Sequence, residues 1–268
     1  MADFAAPRKS LGQNFLQDPN IIRKIVDSLA VKATDTVLEI GPGRGALTEL
    51  LLPLAAHLHL VEFDRDLVQY WASRNETNLT VHGADILQFD LTPVLSNVDS
   101  IKVIGNLPYN ISSPVLFHLL QYADRIASQV VMLQKEVVDR MAAQPGSKQY
   151  GRLSVMLQQR YHIESLFTVP ATAFFPPPKV ESAIARLTPL DRILHPVASH
   201  ADFAAMVKQA FSMRRKTLRN NLKPMLNATQ ISALEIDPSA RAETLTVAEF
   251  AALANAFSTQ QSETHSKA

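Results

Sequence analysis

Asn106-Leu107-Pro108-Tyr109 gathers two hydrogen-bond acceptors and a flat ring at a single turn. The tetrad closes the apolar run IKVIGN, which reads as a buried strand ending in a tight turn. The asparagine offers a side-chain carbonyl, Leu107 offers a backbone carbonyl held outward by the proline, and Tyr109 supplies the ring. Two acceptors beside a stacking face suit a planar group bearing an exocyclic amine, and adenine is the obvious candidate. Upstream lies a glycine-rich turn, Gly41-Pro42-Gly43-Arg44-Gly45, and an acidic residue closes each of two further strands. The combination describes a nucleotide-like cofactor and an amine acceptor in one cleft.

The elements that must position these groups alternate in type. TVLEI (36–40) runs into the glycines, and a helical stretch (46–55) follows. HLHLVEF (57–63), NLTVHGAD (78–85), SIKVIGN (100–106) and SQVVMLQ (128–134) read as strands, with helices at 64–74 and 113–123. Asp18-Pro19 before IIRKIVDSLA is a helix start, an acidic cap followed by proline in the first turn. Alternating strands and helices predict parallel β-α-β units with right-handed crossovers. Gly41, Glu62, Asp85 and Asn106 recur at intervals of 21, 23 and 21 residues, which puts all four on the carboxyl edge of one sheet. Ligands of open α/β sheets bind there.

After Tyr150-Gly151 the pattern changes, and Phe174-Phe175-Pro176-Pro177-Pro178-Lys179 cannot be regular structure. A boundary is expected near 190, giving a catalytic domain over 1–190, a small helical domain over 191–256 and a disordered polar tail over 257–268. Net charge is only +1, but from Phe203 to Leu234 Lys208, Arg214, Arg215, Lys216, Arg219 and Lys223 occur with no acidic residue. That stretch reads as a phosphate-contacting face, with Asn220 and Asn221 as further candidates, and the plain alternative is a solvated helical face. The absence of cysteine removes disulfides, thiolate catalysis and cysteine-ligated zinc. The eight histidines show no metal-ligand spacing, so no metal is expected. The first residues lack the apolar core of a signal peptide and no apolar run spans a bilayer, so a soluble, cytoplasmic protein without membrane contact is expected.

The glycine turn is no phosphate P-loop, because no Lys-Ser/Thr pair follows it. Glu62 stands where an acid holds two ribose hydroxyls, with Asp64 as the rival residue. Asp85 suits the exocyclic amine of a cofactor's adenine, or else caps a helix. Tyr109 alone could be a core aromatic, Phe174-Phe175 an anchor for the proline loop, and Trp71 simple packing. The run Glu39-Ile40-Gly41-Pro42-Gly43-Arg44-Gly45, with acids after the next two strands, is closer to S-adenosylmethionine binding than to dinucleotide binding.

With Asn106-Leu107-Pro108-Tyr109 these residues resemble the class I adenine-N6 methyltransferases. Lys9-Ser10-Leu11-Gly12-Gln13-Asn14-Phe15-Leu16, the block from Phe174 to Val180 and FSMRRKTLRNNL (211–222) narrow the resemblance. Together they resemble the ribosomal RNA adenine dimethyltransferases, above all those acting on small-subunit RNA, over about residues 8–256. The resemblance implies an α/β class I methyltransferase fold, Rossmann-like with a mostly parallel sheet, plus a small C-terminal helical domain. It implies that Asn14 and Leu16 close over the methionine end of S-adenosylmethionine, that Gly41 and Gly43 lie under it, that Glu62 holds the ribose, and that Asp85 with Ile86 fixes the adenine. The implied target is a pair of adjacent adenosines in the 3′-terminal hairpin loop of small-subunit RNA, each dimethylated.

In that scheme Asn106 serves cofactor and target, Leu107 and Pro108 shape the acceptor, and Tyr109 and Phe174 sandwich the base. Lys179 meets a phosphate. A monomer acting on a partly assembled small subunit is expected. The rivals are a large-subunit RNA or DNA adenine methyltransferase and an assembly factor whose main role is binding.

Overall fold

Strands made of aliphatic residues on both faces are stable only when both faces are covered, and every residue of TVLEI is buried. In the computed structural model, which describes residues 13–266, that run is an inner strand of a seven-stranded sheet. The elements begin β1 (Phe15–Leu16), α1 (Pro19–Leu29), β2 (Thr36–Ile40), α2 (Thr48–Leu51), β3 (His57–Glu62), α3 (Arg65–Ala72), β4 (Leu79–Gly83) and α4 (Thr92–Leu95). They continue with β5 (Ile101–Asn106), α5 (Ser112–Leu120), β6 (Ile126–Gln134), α6 (Lys135–Met141), α7 (Arg152–Gln158), β7 (Tyr161–Val169), β8 (Phe174–Phe175) and β9 (Ser182–Pro189). Four helices close the chain: α8 (His200–Ala210), α9 (Leu218–Asn221), α10 (Ala228–Ser232) and α11 (Val247–Ser266).

The sheet order is β4-β3-β2-β5-β6-β9-β7. The five strands from β4 to β6 pair in parallel, and β9 pairs antiparallel with β6. The chain moves outward from β2 through β3 to β4, then crosses to the other side of β2 at β5. A crevice therefore opens above the carboxyl ends of β2 and β5. The two strands approach closely because position 105 carries no side chain: a Cβ there would lie 2.6 Å from the Ile40 carbonyl oxygen. Separately, β1 pairs antiparallel with β8, setting Leu16 opposite Phe174.

The helix starts follow their chemistry. Asp18 accepts from the Asn20 and Ile21 N–H groups at 2.9 and 3.1 Å, satisfying two orphan donors of α1. That helix then buries Ile25, Val26 and Leu29 in a core with Val37, Leu58, Leu60, Ile104, Met132 and Ile184. The stretch after the glycines expected as a helix over 46–55 is regular only over Thr48–Leu51.

The chain forms two compact units. One runs through Val138 and adds His162–Pro189; the other joins Asp139–Tyr161 to the described residues from Leu190 onward. The boundary expected near 190 thus omits an earlier segment, because α7 buries Leu153, Val155 and Leu157 and packs against α8 and α11. The tail expected to be disordered from 257 is helical through Ser266. It lacks glycine and proline, and Ser258 and Gln260 hydrogen-bond Asp202 and Gln230. Among the described residues no helix is long and apolar enough to cross a membrane.

Gly105→Ala is expected to lower stability by about 1–3 kcal/mol, the usual range for overpacking. Its neighbour is backbone and cannot rotate away. Chemical denaturation measures the loss, and an unchanged midpoint would contradict the close-approach argument.

Candidate active site

The glycine turn is shaped by three residues far apart in sequence. Gly43 has φ +54° and Gly45 φ +91°, both in the left-handed region that side chains disfavour. A Cβ at Gly45 would strike the Trp71 ring at 2.6 Å, and one at Gly43 would meet Phe15 at 3.1 Å. The Gly43 N–H donates to Glu62 Oε2 at 3.2 Å, and its carbonyl accepts from Trp71 Nε1 at 3.0 Å. Trp71 is fully buried on α3. Its indole holds the turn in place, a role the sequence did not reveal because the partner lies 28 residues away.

Glu62 ends β3 and is buried. Besides Gly43, its Oε1 accepts from the Phe63 and Asp64 N–H groups at 2.8 Å each. Burial pushes its carboxyl above the ordinary carboxylate range, against the pull of these three N–H donors. The rival Asp64 plays a different part, capping α3 through the Asp66 N–H at 3.1 Å and accepting from Gln13 Nε2 at 3.1 Å. Asp85 accepts from the Leu87 N–H at 3.0 Å, fixing the turn beyond β4, and Ile86 is buried beside it. Phe63, exposed directly after Glu62, also faces the cavity and was not foreseen as a site residue.

At the end of β5 the Asn106 Nδ2 donates to the Asn14 carbonyl at 3.1 Å. Its Oδ1 is therefore the acceptor end of the amide. Leu107 is buried, with its N–H on the Met132 carbonyl at 3.2 Å. The Pro108 carbonyl closes the turn by accepting from the Ile111 N–H and the Ser112 hydroxyl, and Tyr109's carbonyl accepts from Ser112 as well. Tyr109 is half-buried and its hydroxyl lies 2.6 Å from Ser182 Oγ. Phe174 is nearly enclosed in the core, paired with Leu16, while its neighbour Phe175 stands 52% exposed.

These elements enclose a cavity of about 280 Å³. It brings together Asn14, Leu16, Gly41, Gly43, Glu62, Asp85, Ile86 and Asn106 through Tyr109, every anticipated cofactor residue and all the tetrad. Phe174 does not line it. Glu39, at the cavity floor, is almost wholly buried, and its Oε2 accepts from the Thr48 hydroxyl at 2.7 Å. Burial raises its carboxyl to about 8, and the negative charges of Glu62 and Glu49 add to the rise. Elsewhere on β3 and β4, His59 Nδ1 meets His82 Nε2 at 3.1 Å, and burial holds His59 down to about 4. No group of three or more metal-ligating side chains occurs among the described residues.

Lys179 is exposed on the loop before β9. The remaining basic candidates belong to the second unit, where Lys208, Arg215, Lys216, Arg219 and Lys223 are exposed. Arg214 is partly committed, to Glu243 at 3.1 Å and to the Lys148 carbonyl at 2.6 Å. The segment 211–222 is a turn followed by α9. Asn221 accounts for this: it is buried and donates to the Ala210 and Met213 carbonyls at 2.6 and 3.1 Å, and so cannot reach a phosphate.

Five parallel strands, an antiparallel strand beside them and a cleft over the carboxyl edge place the chain among Rossmann-like methyltransferases. Comparison with known proteins makes this specific. The family model "Ribosomal RNA adenine dimethylase" matches residues 5–259, and the chain belongs to that family. It is 51% identical to the ribosomal RNA small subunit methyltransferase A of Thiobacillus denitrificans, covering 92% of this chain and 96% of the relative. It is 50% identical to that of Laribacter hongkongensis, over 93% and 95%. Among solved structures it is similar to a dimethyladenosine transferase from Plasmodium falciparum, with TM-score 0.78 and 25% identity over 92% of this chain and 98% of the other. It is also similar to the 23S rRNA methyltransferase ErmE, with TM-score 0.70 and 25% identity over 91% and 100%.

Glu39 gives a pH prediction. With its folded value at about 8 against an ordinary 4.5, the folded state holds a proton that the unfolded chain lacks between these limits. Its contribution to stability is therefore lost as pH rises through that window. Glu39→Gln keeps an acceptor for Thr48 but cannot ionise. Thermal midpoints of the unliganded protein from pH 5 to 8 should fall more steeply for the parent than for the variant, and parallel curves would refute the assignment.

Proposed function

We propose that this chain transfers methyl groups from S-adenosylmethionine to N6 of two adjacent adenosines in the 3′-terminal hairpin loop of small-subunit ribosomal RNA. Dimethylation of each, in the cytoplasm and during subunit maturation, follows from that substrate. The observation that carries the reading is Asn106, whose amide N–H is taken by Asn14 so that its oxygen remains the acceptor beside Tyr109.

The residues present suit the cofactor. Gly41 and Gly43 keep side chains out of the cleft, Glu62 offers a buried carboxylate to a ribose diol, and Asp85 with Ile86 suits a purine ring and its amine. Asn14 and Leu16 bound the same space from β1. Phe63 adds an exposed ring at the cavity edge. Bound S-adenosylmethionine supplies an electrophilic methyl group on a cationic sulfur.

The target amine is a poor nucleophile because its lone pair is delocalised into the ring. Asn106 Oδ1 and the Leu107 carbonyl accept its two N–H bonds and turn the lone pair toward the methyl donor. Tyr109 stacks on the base, and each base–aromatic stack is worth about 1–3 kcal/mol. This offsets much of the cost of extruding the base. Phe174, buried opposite Leu16 and absent from the cavity wall, does not form the second face of a sandwich, and Phe175 is the exposed aromatic side chain of that strand. Lys179 and the exposed lysines and arginines of the second unit contact phosphates.

A large-subunit target is the nearest rival, since the fold also matches ErmE. The small-subunit reading is favoured because the small-subunit relatives named above share about half their residues with this chain, against 25% for ErmE.

Transfer of labelled methyl to unmodified small subunits, with large-subunit RNA and duplex DNA alongside, tests the proposal. Label should appear on the small subunit as N6-dimethyladenosine. Asn106→Ala should reduce kcat by about 10²-fold or more, as loss of one positioned polar contact to a transition state typically does. Label on another nucleic acid would overturn the target, and an active Asn106→Ala protein would overturn the mechanism.

A further inference from the structure

We propose that Ser182 is a positioning residue for the transfer: it fixes the direction in which the Tyr109 ring projects from its turn and thereby the position of the target base. This deepens the proposed function and rests on Tyr109 being the stacking ring. Stacking itself needs only a ring face, so the phenol oxygen of Tyr109 is superfluous to it. That oxygen nonetheless lies 2.6 Å from Ser182 Oγ, a short hydroxyl–hydroxyl hydrogen bond.

The two partners differ in rigidity. Tyr109 sits half-buried in the turn after β5, on a side chain with two rotatable bonds. Ser182 is fully buried at the first position of β9, in register with Gln134 of β6. A hydroxyl bond at the far end of the ring stops its swing about the Cα–Cβ bond, which the turn cannot restrain. Burial also raises the phenol above its ordinary range, so both hydroxyls stay protonated. β9 begins directly after the loop that follows β8 and carries Lys179, so one strand end holds Tyr109 and anchors that loop.

The consequence falls unequally on the two methylations of one adenine. In the first, the amine presents two N–H groups to Asn106 and Leu107. Each transfer forms an N–C bond as the donor's sulfur–methyl bond breaks and one amine proton leaves to solvent, so after the first only one N–H remains and orientation depends more on the stacking ring. Loss of the tether should slow the second transfer more than the first.

Three variants test this on intact small subunits: Ser182→Ala, Ser182→Thr and Tyr109→Phe, with Tyr109→Ala as reference. Tyr109→Phe removes the same bond while leaving β9 untouched, which keeps the test valid if Ser182→Ala is poorly folded. Ser182→Ala and Tyr109→Phe should each lower kcat for the second transfer by about tenfold, within the range for small misplacements. N6-monomethyladenosine should accumulate, with S-adenosylmethionine affinity and the KM for subunits unchanged. The double variant should be no worse than either single one, and Ser182→Thr should restore dimethylation. Parent-like product ratios in both Ser182→Ala and Tyr109→Phe, with Tyr109→Ala inactive, would overturn the role of Ser182 alone. An active Tyr109→Ala protein would overturn the stacking reading and this inference with it.

Discussion

The close approach of β2 and β5 is the constraint on which the site depends. A backbone carbonyl at Ile40 and the bare Cα of Gly105 let two strands that are distant in sequence run side by side. Their ends then deliver Gly41 and Asn106 to the same place, at the point where the order of strands reverses. The second shared element is the peptide of Gly43, whose N–H reaches Glu62 and whose carbonyl is held by Trp71. Strand ends β2, β3 and β5 and helix α3 are thus joined through backbone groups, and the side chains that face the cavity are fixed as a consequence.

The electrostatics follow from the same packing. Glu39 and Glu62 are both buried, and for both burial outweighs the hydrogen bonds that favour ionisation. Below about pH 8 the Glu39 carboxyl under the cavity is therefore protonated and neutral. Methyl transfer to a neutral amine asks little else of the protein: no nucleophile or metal is required, only positioning and fixed dipoles. The orientation of Asn106 imposed by Asn14 is one such fixed dipole, and the Tyr109–Ser182 bond is a second device of the same kind.

The parallel sheet and the landmarks at its carboxyl edge were legible because each strand is a short aliphatic run ended by glycine, acid or asparagine. The spacing of those residues reflects one crossover each. Trp71 and Ser182 were not legible, since their partners lie 28 and 73 residues away and only the fold brings them together. The burial of Phe174 escaped for the same reason: it follows from pairing with Leu16 across more than half the chain. Asn221 looked like a phosphate contact, but carbonyls left over at the end of α8 claimed it. The segment 139–161 read as part of the catalytic domain because apolar helical periodicity does not say which neighbour will cover it.

The most direct test of the account is calorimetric titration of S-adenosylmethionine into the protein and into Glu62→Ala. One molecule should bind the parent, and the variant should bind about 10- to 100-fold more weakly, as expected for hydrogen bonds to a charged carboxylate worth about 1.5–3 kcal/mol. Circular dichroism would establish that the variant remains folded. Equal affinity for the two proteins, or no binding to the parent, would contradict the assignment of the cavity over the carboxyl ends of β2 and β5 as the cofactor site.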